Sequence, residues 1–156
     1  MCCRSNLSFW PFVLCLAIST AEAAATAEEP DDLLDSSATA WFDCMVVAVH
    51  DGDTFRCDDG RRIRIHGIDA PELDHALGPL SRDWLSERIS GEVLHCFRRG
   101  ASYDRMVATC YDDDVDIAAA SVAVGMSRDC PGFSGGFYAP LETAANEAIP
   151  VAGFCR

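Results

Sequence analysis

The chain has 156 residues and a formal net charge of −13 at pH 7, and all 12 of its basic residues are arginine. The length sets a single domain as the default. The charge excludes indiscriminate binding of polyanions over the whole surface, so any contact with nucleic acid needs a locally positive face or a bound cation.

Residues 1–23 read as a secretory signal peptide. Arg4 supplies a positive start, Leu7 to Ile18 an apolar core too short to span a bilayer, and Ala21-Glu22-Ala23 an A-x-A cleavage pattern, with cleavage after Ala25 as the alternative. Residues 24–40 read as an acidic leader expected to be disordered, carrying Glu28, Glu29, Asp31, Asp32 and Asp35. The folded unit is expected over 41–156, and the expected location is periplasmic or extracellular.

Within that unit, strands are predicted at Phe42–Val49, Thr54–Cys57 and Arg61–His66, joined by turns at Asp51-Gly52-Asp53 and Asp58-Asp59-Gly60. In the third strand Ile63 and Ile65 share one face, while Arg62, Arg64 and His66 share the other. Gly78-Pro79 introduces a helix with Leu80, Trp84, Leu85 and Ile89 on one side, ended by Ser90-Gly91. Strands at Glu92–Phe97 and Arg105–Tyr111 flank a polar loop, Arg98 to Ser102. Helices are predicted over Val115–Val124, closed by Gly125, and over Pro140–Ala148. This order makes an α+β fold, a five-stranded OB-fold-like β-barrel with about three helices packed against it.

Six cysteines follow the signal: Cys44, Cys57, Cys96, Cys110, Cys130 and Cys155. An even number in a small exported domain implies three disulfides, and six cysteines allow fifteen pairings. Cys44 and Cys57 flank one predicted hairpin and Cys96 and Cys110 another, so cross-strand geometry favours those two bridges and leaves Cys130 with Cys155.

The chemistry concentrates between Asp51 and Glu72. Three carboxylates, Asp53, Asp69 and Glu72, accompany Arg64 at the ends of two short apolar runs. Oxygen ligands for a hard cation beside a guanidinium that grips phosphate point to metal-assisted phosphodiester chemistry. Singly, these residues have plainer readings: Asp51-Gly52-Asp53 as a hairpin turn, Asp69 as a turn cap, Arg64 as a surface charge. His50, His66, His75 and His95 share no ligand spacing and read as structural or surface groups. Asp112-Asp113-Asp114 reads as a solvated turn.

Three motifs, in order, resemble the staphylococcal nuclease (thermonuclease) family. They are Asp51-Gly52-Asp53-Thr54, then Ile63-Arg64-Ile65 with Gly67-Ile68-Asp69-Ala70-Pro71-Glu72, then Tyr103-Asp104-Arg105 with Val107-Ala108. The resemblance covers roughly Cys44 to Gly125. It implies an OB-like barrel, a Ca2+ cofactor and hydrolysis of DNA or RNA phosphodiesters. By position, Asp53, Asp69 and the backbone carbonyl of Ala70 correspond to calcium ligands, Glu72 to the residue that activates water, and Arg64 and Arg105 to the phosphate-binding arginines. A monomer with nucleic acid as substrate is expected. The alternative is a non-catalytic nucleic-acid-binding module or a calcium-stabilised interaction module of the cell envelope. Asp104 stands where the family carries glycine and is expected to face solvent and cap its turn. The stretch Arg128 to Gly136 departs from the family where the family stacks a base.

Overall fold

The computed structural model describes residues 40–156. The expected signal peptide and nearly all of the acidic leader lie outside the described residues.

Strand β1, Trp41–Val49, pairs antiparallel with β2, Thr54–Cys57, which pairs antiparallel with β3, Arg62–Ile65. On its other side β1 pairs with β5, Val93–Ser102, which pairs with β6, Arg105–Asp112. β6 then runs parallel to β3, with Ile63 opposite Met106, Arg64 opposite Val107 and Ile65 opposite Ala108. That last pairing closes the five strands into a mixed barrel, so the OB-like α+β architecture read from the sequence is the one observed. Closure removes the open strand edges that a meander would present. Short strands complete the set: β4, Ile68–Asp69, pairs with β8, Arg128–Asp129, and β7, Val115–Asp116, folds back antiparallel on the end of β6.

The barrel interior follows the two-residue period of its strands. Cys44, Val46, Phe55, Cys57, Ile63, Ile65, Leu94, Cys96, Ala108 and Cys110 are all buried in one core. Helix α1, Gly78–Ile89, closes one side with Ser81, Leu85 and Ile89, and carries Pro in its first turn, where the missing N–H is not needed. Leu80, expected on the packed face, is 56% exposed, and Ser81 takes the inward position instead. Its hydroxyl donates to Met126 O at 2.7 Å, so a polar residue is satisfied where an apolar one was expected. Helix α2, Ile117–Ala123, starts two residues later than predicted, because the Asp116 side chain caps it by accepting from the backbone N–H of Ala118 and Ala119.

Two further expectations are corrected. Arg98 to Ser102 is not a loop but the far end of β5, which passes a bulge between Arg98 and Gly100 and pairs with β6 as far as Ser102 opposite Arg105. Its arginines, Arg98 and Arg99, are tolerated because both are exposed. The helix expected over Pro140–Ala148 does not form. Only single 3-10 turns appear, Ala139–Leu141 and Asn146–Ala148. Polar side chains dictate the path there. Asn146 is buried, donating to Val122 O at 2.8 Å and Ser127 O at 2.7 Å while its carbonyl oxygen accepts from Thr143 N. A short helix α3, Pro131–Ser134, forms instead where no element was expected.

All three disulfides are made: Cys44–Cys57, Cys96–Cys110 and Cys130–Cys155. The first two staple barrel hairpins, and the third ties residues 153–155 to α3. Each loop closed in this way contributes about 2–4 kcal/mol, chiefly by restricting the unfolded chain, and such bridges fit an oxidising compartment. Among the described residues no helix is long and apolar enough to cross a membrane.

Candidate active site

Strand register assembles the site. In the β2–β3 pair Thr54 lies opposite Arg64, so Asp53, one residue before Thr54, meets the Arg64 guanidinium. The distance from Arg64 Nη1 to Asp53 Oδ2 is 2.8 Å, and Arg64 Nη2 is 3.6 Å from Asp69 Oδ1. The parallel β3–β6 pair then sets Arg105 at the start of the strand beside Arg64. Arg105 Nη1 donates to Thr54 Oγ1 at 3.4 Å, and Thr54 Oγ1 donates to Asp53 Oδ1 at 3.1 Å. The result is a chain of contacts from Arg105 through Thr54 and Asp53 to Arg64 and Asp69.

Both aspartates are buried. Ala70 N–H donates to Asp53 Oδ2 at 2.9 Å. The Asp53 carboxyl is nevertheless pushed up to about 7, because burial outweighs the pull of Arg64 and the Asp51 charge adds to it. Burial also raises Asp69, opposed by a hydrogen bond from Ala152 N–H at 3.3 Å and by Arg64. Two buried carboxylates thus share one guanidinium, an arrangement short of positive charge. Asp51 has a local job: its Oδ1 accepts from Asp53 N–H at 3.0 Å and fixes the turn. Gly52 lets this turn press on α1, since a Cβ there would stand 1.9 Å from Ser81 Oγ.

Whether the residues fit a hard cation can be judged from these donors. Among the described residues no three His, Cys, Asp or Glu side chains converge as a ligand set. Asp53 and Asp69 together offer carboxylate oxygens with unfilled lone pairs in a charge-deficient pocket, and that chemistry suits an ion that completes its shell with carbonyl oxygen and water.

Glu72 is exposed in the turn after β4, and its carboxylate has no hydrogen bond or ion pair among the described residues. Its backbone is held closely: Glu72 O accepts from His75 N–H at 2.9 Å, and a Cβ on Gly78 would stand 2.0 Å from that oxygen. Asp104 pairs with Arg62 at 2.5 Å, away from both Arg64 and Arg105. It shares a two-residue turn with Tyr103, which holds φ +55° and is 97% exposed.

A cavity of about 490 Å³ opens beside this cluster, walled by Arg64, Arg99, Arg105, Tyr103, Phe133 and Phe154 among others. The sequence alone did not bring Arg99, Phe154 or Ala152 to this region. Phe154 meets the Phe133 ring edge-on at 6.4 Å between centroids. His66 also lines the cavity, and burial, then the Arg99 charge, lower its imidazole below the ordinary value.

The chain is 33% identical over 89 residues to a protein of Haemophilus influenzae named an uncharacterized endonuclease. The aligned stretch is 54% of this chain and 50% of that protein, so the chain spans about half the length of the curated relative it matches. No protein-family profile matches the chain.

Proposed function

We propose that this domain is a calcium-dependent nuclease that hydrolyses phosphodiester bonds of DNA or RNA. The observation that carries the reading is the meeting of two buried carboxylates, Asp53 and Asp69, with Arg64, which itself lines a cavity that also holds Arg99 and Arg105. The endonuclease name of the relative supports it.

In this reading Asp53, Asp69 and the Ala70 carbonyl hold the ion. Calcium, when bound, supplies positive charge that polarises the phosphoryl group and offsets charge on its oxygens. Arg105, with no carboxylate partner among the described residues, grips one non-bridging oxygen, and Arg64 offers its remaining N–H donors to another. Glu72 orients a water molecule and takes its proton as the oxygen attacks phosphorus. The opposite P–O ester bond then breaks, and the leaving oxygen is protonated by solvent. Solvent exposure leaves the Glu72 carboxylate free to do this.

The test is digestion of single- and double-stranded DNA and RNA by the oxidised protein, in calcium and in chelator, beside Glu72→Gln. The expected result is calcium-dependent cleavage that falls about a hundred- to ten-thousandfold in the variant with its melting temperature unchanged. Near-normal cleavage by Glu72→Gln would remove the base assignment. A second reading, a calcium-stabilised binding module without catalysis, is favoured by the net charge of −13, which opposes the approach of a polyanionic substrate. It predicts a melting temperature raised by calcium and no cleavage.

A further inference from the structure

Besides the groove walled by Arg64, Phe133 and Phe154, the barrel carries a second arginine-lined hollow, a cavity of about 320 Å³. Arg61, Arg62, Arg98 and Arg105 wall it, with Asp104 among them. Register gathers these residues. Ile63 lies opposite Met106 in the parallel β3–β6 pair, so Arg62 comes beside Arg105, and the β5–β6 pairing lays the end of β5, with Arg98, along β6. The arginines differ in what already answers their charge. Arg61 is paired with Asp59, and its Nη2 donates to Asp43 O at 2.9 Å. Arg62 Nη1 lies 2.5 Å from Asp104 Oδ2, and both side chains are exposed. Arg98 and Arg105 have no carboxylate partner among the described residues. In a chain of net charge −13, this is a local excess of positive charge, which is what a polyanion needs in order to approach.

Asp104 is the unusual member. It stands where the family that the motifs resemble carries glycine, so its pair with Arg62 belongs to this chain. The turn does not call for it. Asp51, Asp59 and Asp116 each accept a backbone N–H of their own turn, whereas among the described residues the Asp104 carboxylate accepts from Arg62 alone. An exposed ion pair of this kind adds little to stability. What Asp104 does is occupy the donors of an arginine that would otherwise be open to an outside anion.

We propose that this cavity holds the phosphate next to the reactive one along a substrate strand, and that Asp104 is its displaceable counter-ion, a built-in anion exchanged for the phosphate of a polynucleotide. The inference rests on the nuclease reading above and extends it. Arg62 and Arg64 both alternate with the buried Ile63 and Ile65, so they share the outer face of β3. Two residues of strand separate them by about 7 Å, comparable with the step between successive phosphates of an extended strand. A strand whose reactive phosphate meets Arg64 and Arg105 therefore presents its neighbouring phosphate to Arg62. That diester offers two non-bridging oxygens, one for Arg62 and one for Arg98, where Asp104 engages Arg62 only. A fragment with a single phosphate fills the reactive position and gains nothing from the exchange. The cavity thus favours chains over fragments, and Asp104 sets how much salt the complex tolerates.

The test is equilibrium binding of fluorescent oligothymidylates in calcium over a range of salt concentrations, with Glu72→Gln keeping the strands whole, comparing a dinucleotide with a hexanucleotide. Asp104→Asn should tighten hexanucleotide binding, steepen its salt slope by about 0.7, the value of one single-strand phosphate contact, and leave the dinucleotide unchanged. Arg98→Gln should make the hexanucleotide slope shallower by a similar amount. The gain from Asp104→Asn should vanish when Arg62→Gln is added, because it acts through that guanidinium. A gain that persists with Arg62→Gln, or is equally large for the dinucleotide, would reduce Asp104 to a general charge effect and overturn the proposal. So would hexanucleotide affinity that neither Asp104→Asn nor Arg98→Gln changes. Failure of the nuclease reading shows separately, as no cleavage of any strand by the wild-type protein, because the binding comparison does not depend on cutting.

Discussion

Asp53 carries a conflict that pH can expose. Burial raises its carboxyl to about 7 from an ordinary value of 3.8, even with Arg64 at 2.8 Å. A carboxyl that holds its proton more tightly when folded costs stability above its folded pKa, and that cost fades as pH falls from about 7 toward 3.8. Asparagine has no charge to bury. In metal-free protein the melting temperature of Asp53→Asn relative to wild type should therefore be higher at pH 8 than at pH 5, measured by calorimetry across that range. The opposite slope would mean that the Arg64 ion pair outweighs burial. A bound cation would relieve the same tension, because burial disfavours the charged carboxylate and the one shared guanidinium does not offset that cost.

At the scale of elements, the site depends on a close approach at the start of α1. Gly78 begins α1 where a methyl group would collide with the Glu72 carbonyl oxygen, so Gly78→Ala must push apart the turn that carries Glu72 and the helix that follows. A loss of about 1–3 kcal/mol in stability is expected, together with a larger loss of cleavage than of substrate affinity, read by denaturant titration and by kcat against KM. Much of this arrangement was legible in the chain. The alternation Ile63, Arg64, Ile65 announced a half-buried strand, and Asp53, Arg64 and Asp69, read as one group, do sit together. What was not legible has physical reasons. Arg98 to Ser102 lacks the apolar alternation of a strand because its pairing to β6, not its side chains, makes it one. The region 140–148 looks helical by composition, yet the buried amide of Asn146 binds carbonyls of other segments and overrides propensity. Arg99 belongs to no motif, and only the continuation of β5 brings it to the cavity that Arg105 also lines.

For the molecule as a whole, the three bridges do different work. Cys44–Cys57 and Cys96–Cys110 lie inside the barrel core, where they reinforce pairings the strands already make. Cys130–Cys155 holds an irregular segment that delivers the Ala152 N–H to Asp69 and the Phe154 ring to the groove. Replacing Cys130 and Cys155 by serine should leave the barrel folded and raise KM more than it lowers kcat, which circular dichroism beside steady-state kinetics would report. The reverse split would mean that the segment serves catalysis rather than binding. One consequence reaches further. If the bridge helps Asp69 stay poised for an ion, then the ion must help the bridge by the same amount, since coupling between two equilibria is reciprocal. Calcium should accordingly slow reduction of Cys130–Cys155 by dithiothreitol and leave the two barrel bridges unaffected. A thiol-rich surrounding and a calcium-poor one would then act on this protein as a single signal, each deepening the effect of the other.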